Sequence, residues 1–323
     1  MRHLFRGLAL IALLAPATSA FAQDYPTRPV RVIASQGPGG LSDVWMRAVA
    51  DEMGPVIGGT VVVEDRTGAG GSIGARACAE SPPDGYTFCI LPAEAVAINP
   101  IISPIAGFDP KTKLAPVTKA FYLTQTFAVN ASTGAKNFAE LIALAKAKPK
   151  TLNYMAASLG KVAFVEDLNR KNGIDLQRVP FKGGGDAVNS MLTGTTQIAI
   201  FGIGNLVQFI RNKQIIGFAV DGEKRSPLAP DIPTFAELGY KELVAPTFFG
   251  IYAPAGTPKP MIDKINAAVV KVGSKPEFQQ RHMTPRGIAP VLNSPEQFAK
   301  ELVQEYTEGL AVVKASGLYP EVK

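Results

Sequence analysis

Two short apolar runs near the start of this chain each pass through a glycine-rich turn into a helical pattern. Val30-Arg31-Val32-Ile33 leads to Gly37-Pro38-Gly39-Gly40-Leu41-Ser42-Asp43, and Val61-Val62-Val63-Glu64 leads to Gly68-Ala69-Gly70-Gly71-Ser72-Ile73-Gly74. A strand that turns through glycines into a helix is the building unit of an α/β layer, which narrows the architecture before any other residue is read. The same unit has a chemical use. Glycines let backbone approach a ligand closely, and a helix N-terminus leaves unpaired N–H groups at its positive end, a place suited to a carboxylate or phosphate. An ordinary tight turn has the same sequence, so the loops alone do not assign a site.

The alternation continues along the chain. Strands are expected at 30–33, 60–63, 87–91, 123–129, 152–154, 177–179, 197–201, 215–220 and 248–253. Helices are expected at 43–53, 138–147, 185–192, 204–212, 234–239, 259–272, 276–283 and 295–315. The pattern predicts α/β with mostly parallel sheets, and a length of 323 residues predicts two domains. Ser42-Asp43, Thr257-Pro258 and Ser294-Pro295-Glu296 have the form of helix starts. Arg225-Ser226-Pro227-Leu228-Ala229-Pro230-Asp231-Ile232-Pro233 carries three prolines and reads as a stiff connector and candidate boundary, as does the stretch before Leu123.

Residues 1–22 have the form of a secretory signal. Arg2 and Arg6 precede the apolar run Leu8–Leu14, and Ala20-Phe21-Ala22 gives a small-x-small cleavage site after Ala22. The run is too short to span a bilayer, and no later segment is long enough, so an exported, periplasmic protein is expected. Loss of two arginines with the signal takes the formal charge from +6 to +4. Without a block of like charges this excludes a nucleic-acid partner and suits small anions. Cys78 and Cys89 can pair in an oxidising compartment, but geometry rather than spacing decides it. Two cysteines without a nearby histidine make no structural zinc site, and no metal is expected.

Seven motifs then fall in a recognisable order: Tyr25-Pro26-Thr27-Arg28-Pro29; Gly39-Gly40-x-x-Asp43; Val62-Val63-Glu64-Asp65-Arg66 with Gly68-Ala69-Gly70-Gly71; Pro83-Asp84-Gly85-Tyr86-Thr87; Ile98-Asn99-Pro100; Val179-Pro180-Phe181-Lys182-Gly183; and Ala253-Pro254-Ala255-Gly256-Thr257-Pro258. Together they resemble the solute receptors of tripartite tricarboxylate transporters, the TctC or Bug family, over essentially the whole chain after the signal. The resemblance implies a two-lobed periplasmic binding protein fold, type II-like, with a ligand cleft between lobes joined by two crossover strands. It divides the chain into a signal peptide (1–22), the first part of lobe one (23–124), lobe two (125–220) and the second part of lobe one with the C-terminal helices (221–323). It also implies a likeness in the site. Backbone N–H groups of Gln36 to Leu41, with Gly39, Gly40 and Leu41 as donors, would hold a ligand carboxylate. The loop Pro92 to Val96, including Glu94 and Ala95, and the lobe-two loop Ala156 to Val162, including Ser158, Gly160 and Lys161, would complete the contacts.

Departures from the family pattern are informative. Where relatives have a serine-rich segment, this chain reads Tyr154-Met155-Ala156-Ala157-Ser158-Leu159-Gly160-Lys161, with two hydroxyls replaced by alanine and a lysine added. Lys161 either meets a second ligand carboxylate or is a solvated loop lysine. Gly202 follows Phe201 where many relatives have an acid, so an amino-acid ligand is not expected. Glu94 repels an anion unless it is paired or turned outward. Of the apolar cleft candidates Trp45, Phe164, Phe201 and Phe248, Phe201 ends a strand and is the best placed.

Other classes are weaker. His282 is the one histidine left after cleavage and stands in a surface-helix pattern. There is no His-x-x-x-His pair, and a Ser-His-acid triad would have to be built on this one histidine, so catalysis is not expected. The Gly68–Gly74 loop, with Glu94 about twenty residues on, is a loose variant of a dinucleotide fingerprint. Gly160-Lys161 lacks the upstream glycine of a P-loop. A receptor that feeds a sensor kinase fits the sequence as well as one that feeds a transporter. The expected function is capture of a small di-, tri- or aromatic carboxylate by a monomer, without cofactor, for the membrane subunits of a tripartite transporter.

Overall fold

The computed structural model describes residues 25–156, 158–180, 184–240 and 247–322. The expected signal peptide lies outside them. No described helix is long and apolar enough to cross a membrane.

Chain order begins with β1 (Val30–Ala34), α1 (Leu41–Ile57), β2 (Val61–Asp65), α2 (Ser72–Ala79) and β3 (Thr87–Pro92). A wide helical turn at Glu94–Ile98, the short α3 (Asn99–Ile102) and α4 (Pro110–Lys113) follow, then β4 (Leu114–Leu123) and β5 (Gln125–Asn130). Next come α5 (Phe138–Ala147), β6 (Asn153–Ala156), α6 (Leu159–Asn172), β7 (Gln177–Arg178), α7 (Gly184–Leu192), β8 (Ile198–Gly202), α8 (Ile203–Arg211) and β9 (Ile215–Val220). The chain ends with β10 (Thr247–Pro254), α9 (Lys259–Gly273), α10 (Pro276–Phe278), β11 (Ile288–Pro290) and α11 (Pro295–Ser316).

Two sheets result, one in each lobe. The first has the order β11-β4-β10-β3-β1-β2 and the second β7-β6-β8-β5-β9. Only Thr124 separates β4 in one sheet from β5 in the other, and the chain returns after β9 to enter β10. The expected mostly parallel sheets are corrected to mixed ones: β1–β2, β1–β3, β6–β7 and β6–β8 are parallel, but β10 and β5 pair antiparallel with both neighbours. Those two strands follow the lobe crossings, so they enter their sheets against the direction set by the βαβ units.

Apolar faces close each lobe. Val30, Val32 and Ala34 of β1 pack with Trp45, Val49 and Met53 of α1 and Ile265 and Val269 of α9. In lobe two, Phe127, Phe138, Phe164, Phe218 and Phe235 form an aromatic core whose ring contacts are mostly edge-on or tilted, the arrangement that ring quadrupoles favour. Cys78 on α2 and Cys89 on β3 are joined by a disulfide, Cα atoms 6.0 Å apart.

Helix α11 is rooted in both lobes. Phe298 and Leu302 in its first half are buried with β3 and β10 residues, and Val313 near its end is buried in the aromatic core. Lys119 of β4, almost fully buried, meets Glu301 and Glu305 of α11, each at 2.9 Å.

Candidate functional site

A cavity of about 900 Å³ lies between the lobes. Three helix N-termini reach its wall: Gly39, Gly40 and Leu41 at α1, Gly70 and Gly71 at α2, and Gly202, Gly204 and Asn205 at α8. Each carries the partial positive charge of its helix, and together they favour an anion.

The first loop is held by its own side chains. Gln36 Oε1 accepts the Ser42 N–H at 2.9 Å, and Ser42 Oγ accepts the Gln36 N–H at 3.1 Å, a reciprocal lock across the start of α1. Ser42 is thus inside the helix, and the expected Ser42-Asp43 cap is replaced by Gln36 reaching in from the loop. Asp43 Oδ2 accepts the Gly39 N–H at 2.9 Å, and the Gly40 N–H donates to Gly37 O at 2.8 Å. The expectation that Gly39 and Gly40 donate to a ligand is therefore corrected: they shape the turn, and Leu41, the first helical residue, is the donor left at the cavity wall. Gly39 adopts φ +81°, which glycine takes without strain.

The second loop is pinned by Asn99, whose Nδ2 lies 3.0 Å from Ala69 O and 3.0 Å from Ser72 Oγ. This gives the Ile98-Asn99-Pro100 motif a structural role.

Of the remaining expected site residues, Glu94, Phe201 and Gly202 line the cavity with Gln36. Ala95 is buried in the lobe-one core instead. Ser158, Gly160 and Lys161 are not among the lining residues, because the expected loop Ala156 to Val162 is the end of β6 and the start of α6. Lys161 turns inward: it is buried, with Nζ 3.2 Å from Asp221 Oδ2 and 5.6 Å from the Phe235 ring centre. Both earlier readings of this lysine, ligand contact and solvated loop, give way to a buried ion pair. Trp45, Phe164 and Phe248 are core residues, and Phe249 rather than Phe248 faces the cavity.

Glu94 faces the cavity beside Thr247, whose hydroxyl donates to Glu94 Oε1 at 3.0 Å. Burial pushes its carboxyl above the ordinary range, while hydrogen bonds from its own backbone and from Thr247 pull it part-way back. The sign follows. A carboxyl raised in the fold destabilises it as pH climbs past the unfolded value, and once ionised it repels an anionic ligand. Glu94→Gln is expected to tighten carboxylate binding by roughly fivefold at pH 8, on the order of 1 kcal/mol, and by less at pH 5. Isothermal titration at the two pH values checks it; equal gains at both would contradict the assignment.

Sequence reading missed Ser35, Gln125, Thr247 and Arg286 in the lining. Ser35 Oγ and Gln125 Oε1 are buried with no hydrogen-bond partner among the described residues. Arg286 reaches the lining from the segment before β11, and its Nη1 lies 2.9 Å from His282 O. His282 is half-buried against Phe278, ring centres 4.8 Å apart, and is not part of the lining.

Comparison with known proteins gives a consistent result. The family model described as tripartite tricarboxylate transporter family receptor matches residues 45–318. The BugT protein of Bordetella pertussis is 30% identical over 310 residues, covering 95% of each chain. Among solved structures, Rpa4515 of R. palustris with adipate superposes with a TM-score of 0.82 at 26% identity, covering 91% of this chain and 99% of the other. MatC from Rhodopseudomonas palustris with bound malate gives 0.78 at 25% identity, covering 90% and 100%.

Proposed function

We propose, from the premise that this chain belongs to the tripartite tricarboxylate transporter family of periplasmic solute-binding receptors, that it captures a small carboxylate between its lobes for the membrane subunits of such a transporter. The observation that carries this reading is the convergence of three helix N-termini on one interlobe cavity. The Leu41 N–H and the ends of α1 and α2 receive a carboxylate from lobe one. The end of α8 adds positive potential from the lobe-two wall. Capture needs positioned donors and no covalent step. The adipate and malate held by two relatives are of this chemical class. In this reading the protein is a monomer, is exported by a signal cleaved after Ala22, and has its first lobe boundary at 124/125; the second lies beyond Phe235, which packs in the lobe-two core, rather than at 220/221.

The test is a thermal-shift screen of the chain without residues 1–22 against carboxylates, amino acids, sugars and NAD(P). A ligand at about 100 times its Kd adds about 2.7 kcal/mol, a readable rise in Tm. A rise with carboxylates alone supports the reading, and a flat response to all of them overturns it.

A further inference from the structure

Two buried polar groups in the cavity wall lack partners, and they ask for different chemistry. Ser35, at the end of β1, is 4% exposed; Gln125, at the start of β5, is 1% exposed. Both line the cavity, and Ser35 Oγ and Gln125 Oε1 have no hydrogen-bond partner among the described residues. A buried polar group left unpaired forfeits its hydration with no return, so each is a strong selector for whatever fills the space beside it.

Ser35 lies within the lobe-one half of the site, close to Gly74 of α2. Its hydroxyl can donate to the same carboxylate that the Leu41 N–H receives. Gln125 Oε1 is an acceptor, and a carboxylate cannot satisfy it, since carboxylate oxygens only accept. A methylene cannot satisfy it either. A hydroxyl both donates and accepts, so it serves the amide's oxygen and its NH₂ alike.

The direction of Gln125 is fixed by its backbone. Its N–H donates to Asp221 Oδ1 at 2.7 Å, and its carbonyl accepts the Asp221 N–H at 3.0 Å. Asp221 is in turn held by buried Lys161, and Gln125 sits opposite Gly202 in the β5–β8 ladder. Lys161, Asp221 and Gln125 thus form a chain of positioning contacts that ends at the cavity wall, beside the N-terminus of α8.

We propose that Gln125 is a specificity-determining residue that reads a hydroxyl on the ligand, so that the receptor selects a hydroxy-carboxylate over the same acid without its hydroxyl. This rests on the carboxylate reading above and narrows it. A deoxy ligand leaves the Gln125 acceptor buried and unpaired, and a site built around a hydroxyl rejects such an analogue far more strongly than one lost methylene would explain.

The experiment uses four matched pairs: lactate with propionate, malate with succinate, citrate with tricarballylate, and mandelate with phenylacetate. Affinities are measured by titration calorimetry on wild type and on Gln125→Met, which keeps the side chain's length and removes its polarity. In whichever pair binds most tightly, the hydroxy acid is expected to bind wild type at least about tenfold better than its partner. In Gln125→Met the ratio is expected to fall to about threefold or less. Carboxylate binding with a wild-type ratio near one overturns the role of Gln125 while leaving the receptor reading intact. So does a ratio that survives in a folded Gln125→Met. If Gln125→Met does not fold, the wild-type ratio and Gln125→Leu decide between the same outcomes. Failure of every carboxylate to bind overturns both readings.

Discussion

Replacing Lys161 with methionine is expected to cost about 3–5 kcal/mol of folding stability, because it strips the partner from a carboxylate buried at the junction of the lobes. Asp221 is 1% exposed and sits 3.2 Å from the Lys161 ammonium. With the lysine gone, the Gln125 N–H at 2.7 Å remains as support for one carboxylate oxygen. Burial already pushes the Asp221 carboxyl up, with Lys161 opposing the shift. Removing Lys161 pushes it further. A group whose pKa is higher folded than unfolded gives up stability as pH rises above the unfolded value of about 3.9, so the deficit should grow from pH 5 to pH 8. Thermal unfolding by circular dichroism at both values measures this, with a fall in Tm on the order of 10 °C expected at pH 8. The double variant Lys161→Met with Asp221→Asn should recover more than half of it. A single variant that melts like wild type at both pH values would show that the pair contributes nothing.

The second large effect concerns ligand rather than stability. A Cβ at Gly40 would stand 2.7 Å from Gln36 Cβ and 2.9 Å from Gly37 O, closer than real contacts allow. Gly40→Val must therefore push Gln36 away, and with it the amide oxygen that caps Ser42. The Leu41 N–H then loses its aim, and carboxylate binding should fall by about a hundredfold or more, as geometric losses in preorganised sites do. The loop borders the cavity rather than the core, so the Tm without ligand should change little. Gly39→Ala makes an instructive contrast. Its added methyl meets nothing within 4 Å, and only the φ of +81° opposes it, a strain of about 1–2 kcal/mol. Its binding loss should be the smaller of the two; the reverse order in calorimetry would place the critical glycine at 39.

The sequence displays the local devices of this fold and hides the distant ones. Val30–Ala34 and Ile215–Val220 read as strands because their apolar runs are unbroken, and the Gly-rich turns mark where α1 and α2 begin. β4 escaped because Pro116, Thr118 and Lys119 interrupt its apolar character. Its lysine is tolerated inside only through Glu301 and Glu305, more than 180 residues away. α6 escaped for a similar reason: Gly160 and Lys161 look like loop until Asp221 is brought to them. In the opposite direction, the helix expected at 234–239 is a run of turns, closed by Glu237 N–H on Thr234 Oγ1. The site divides in the same way. Gln36, Gly39–Leu41, Glu94, Phe201 and Gly202 were visible through loop chemistry and family likeness. Ser35 and Gln125 were not, since being buried without a partner is a property of the assembled lobes. The family likeness put a lobe crossing at 124/125, and a polar residue at such a crossing is the one signal that could have singled out Gln125.

Helix α11, at 22 residues about 33 Å long, gives the lobes a third tie besides the two chain crossings. Two neighbouring tethers would leave one body free to swivel as well as to tilt on the other. A rigid strut that ends in both interiors, with Phe298 and Leu302 at one end and Val313 at the other, takes away the swivel. Movement of one lobe on the other is then confined to a single arc whose pivot runs along the strut. A membrane partner that docks across both lobes would meet one fixed edge, beside α11, and one edge whose width reports whether the cleft is filled.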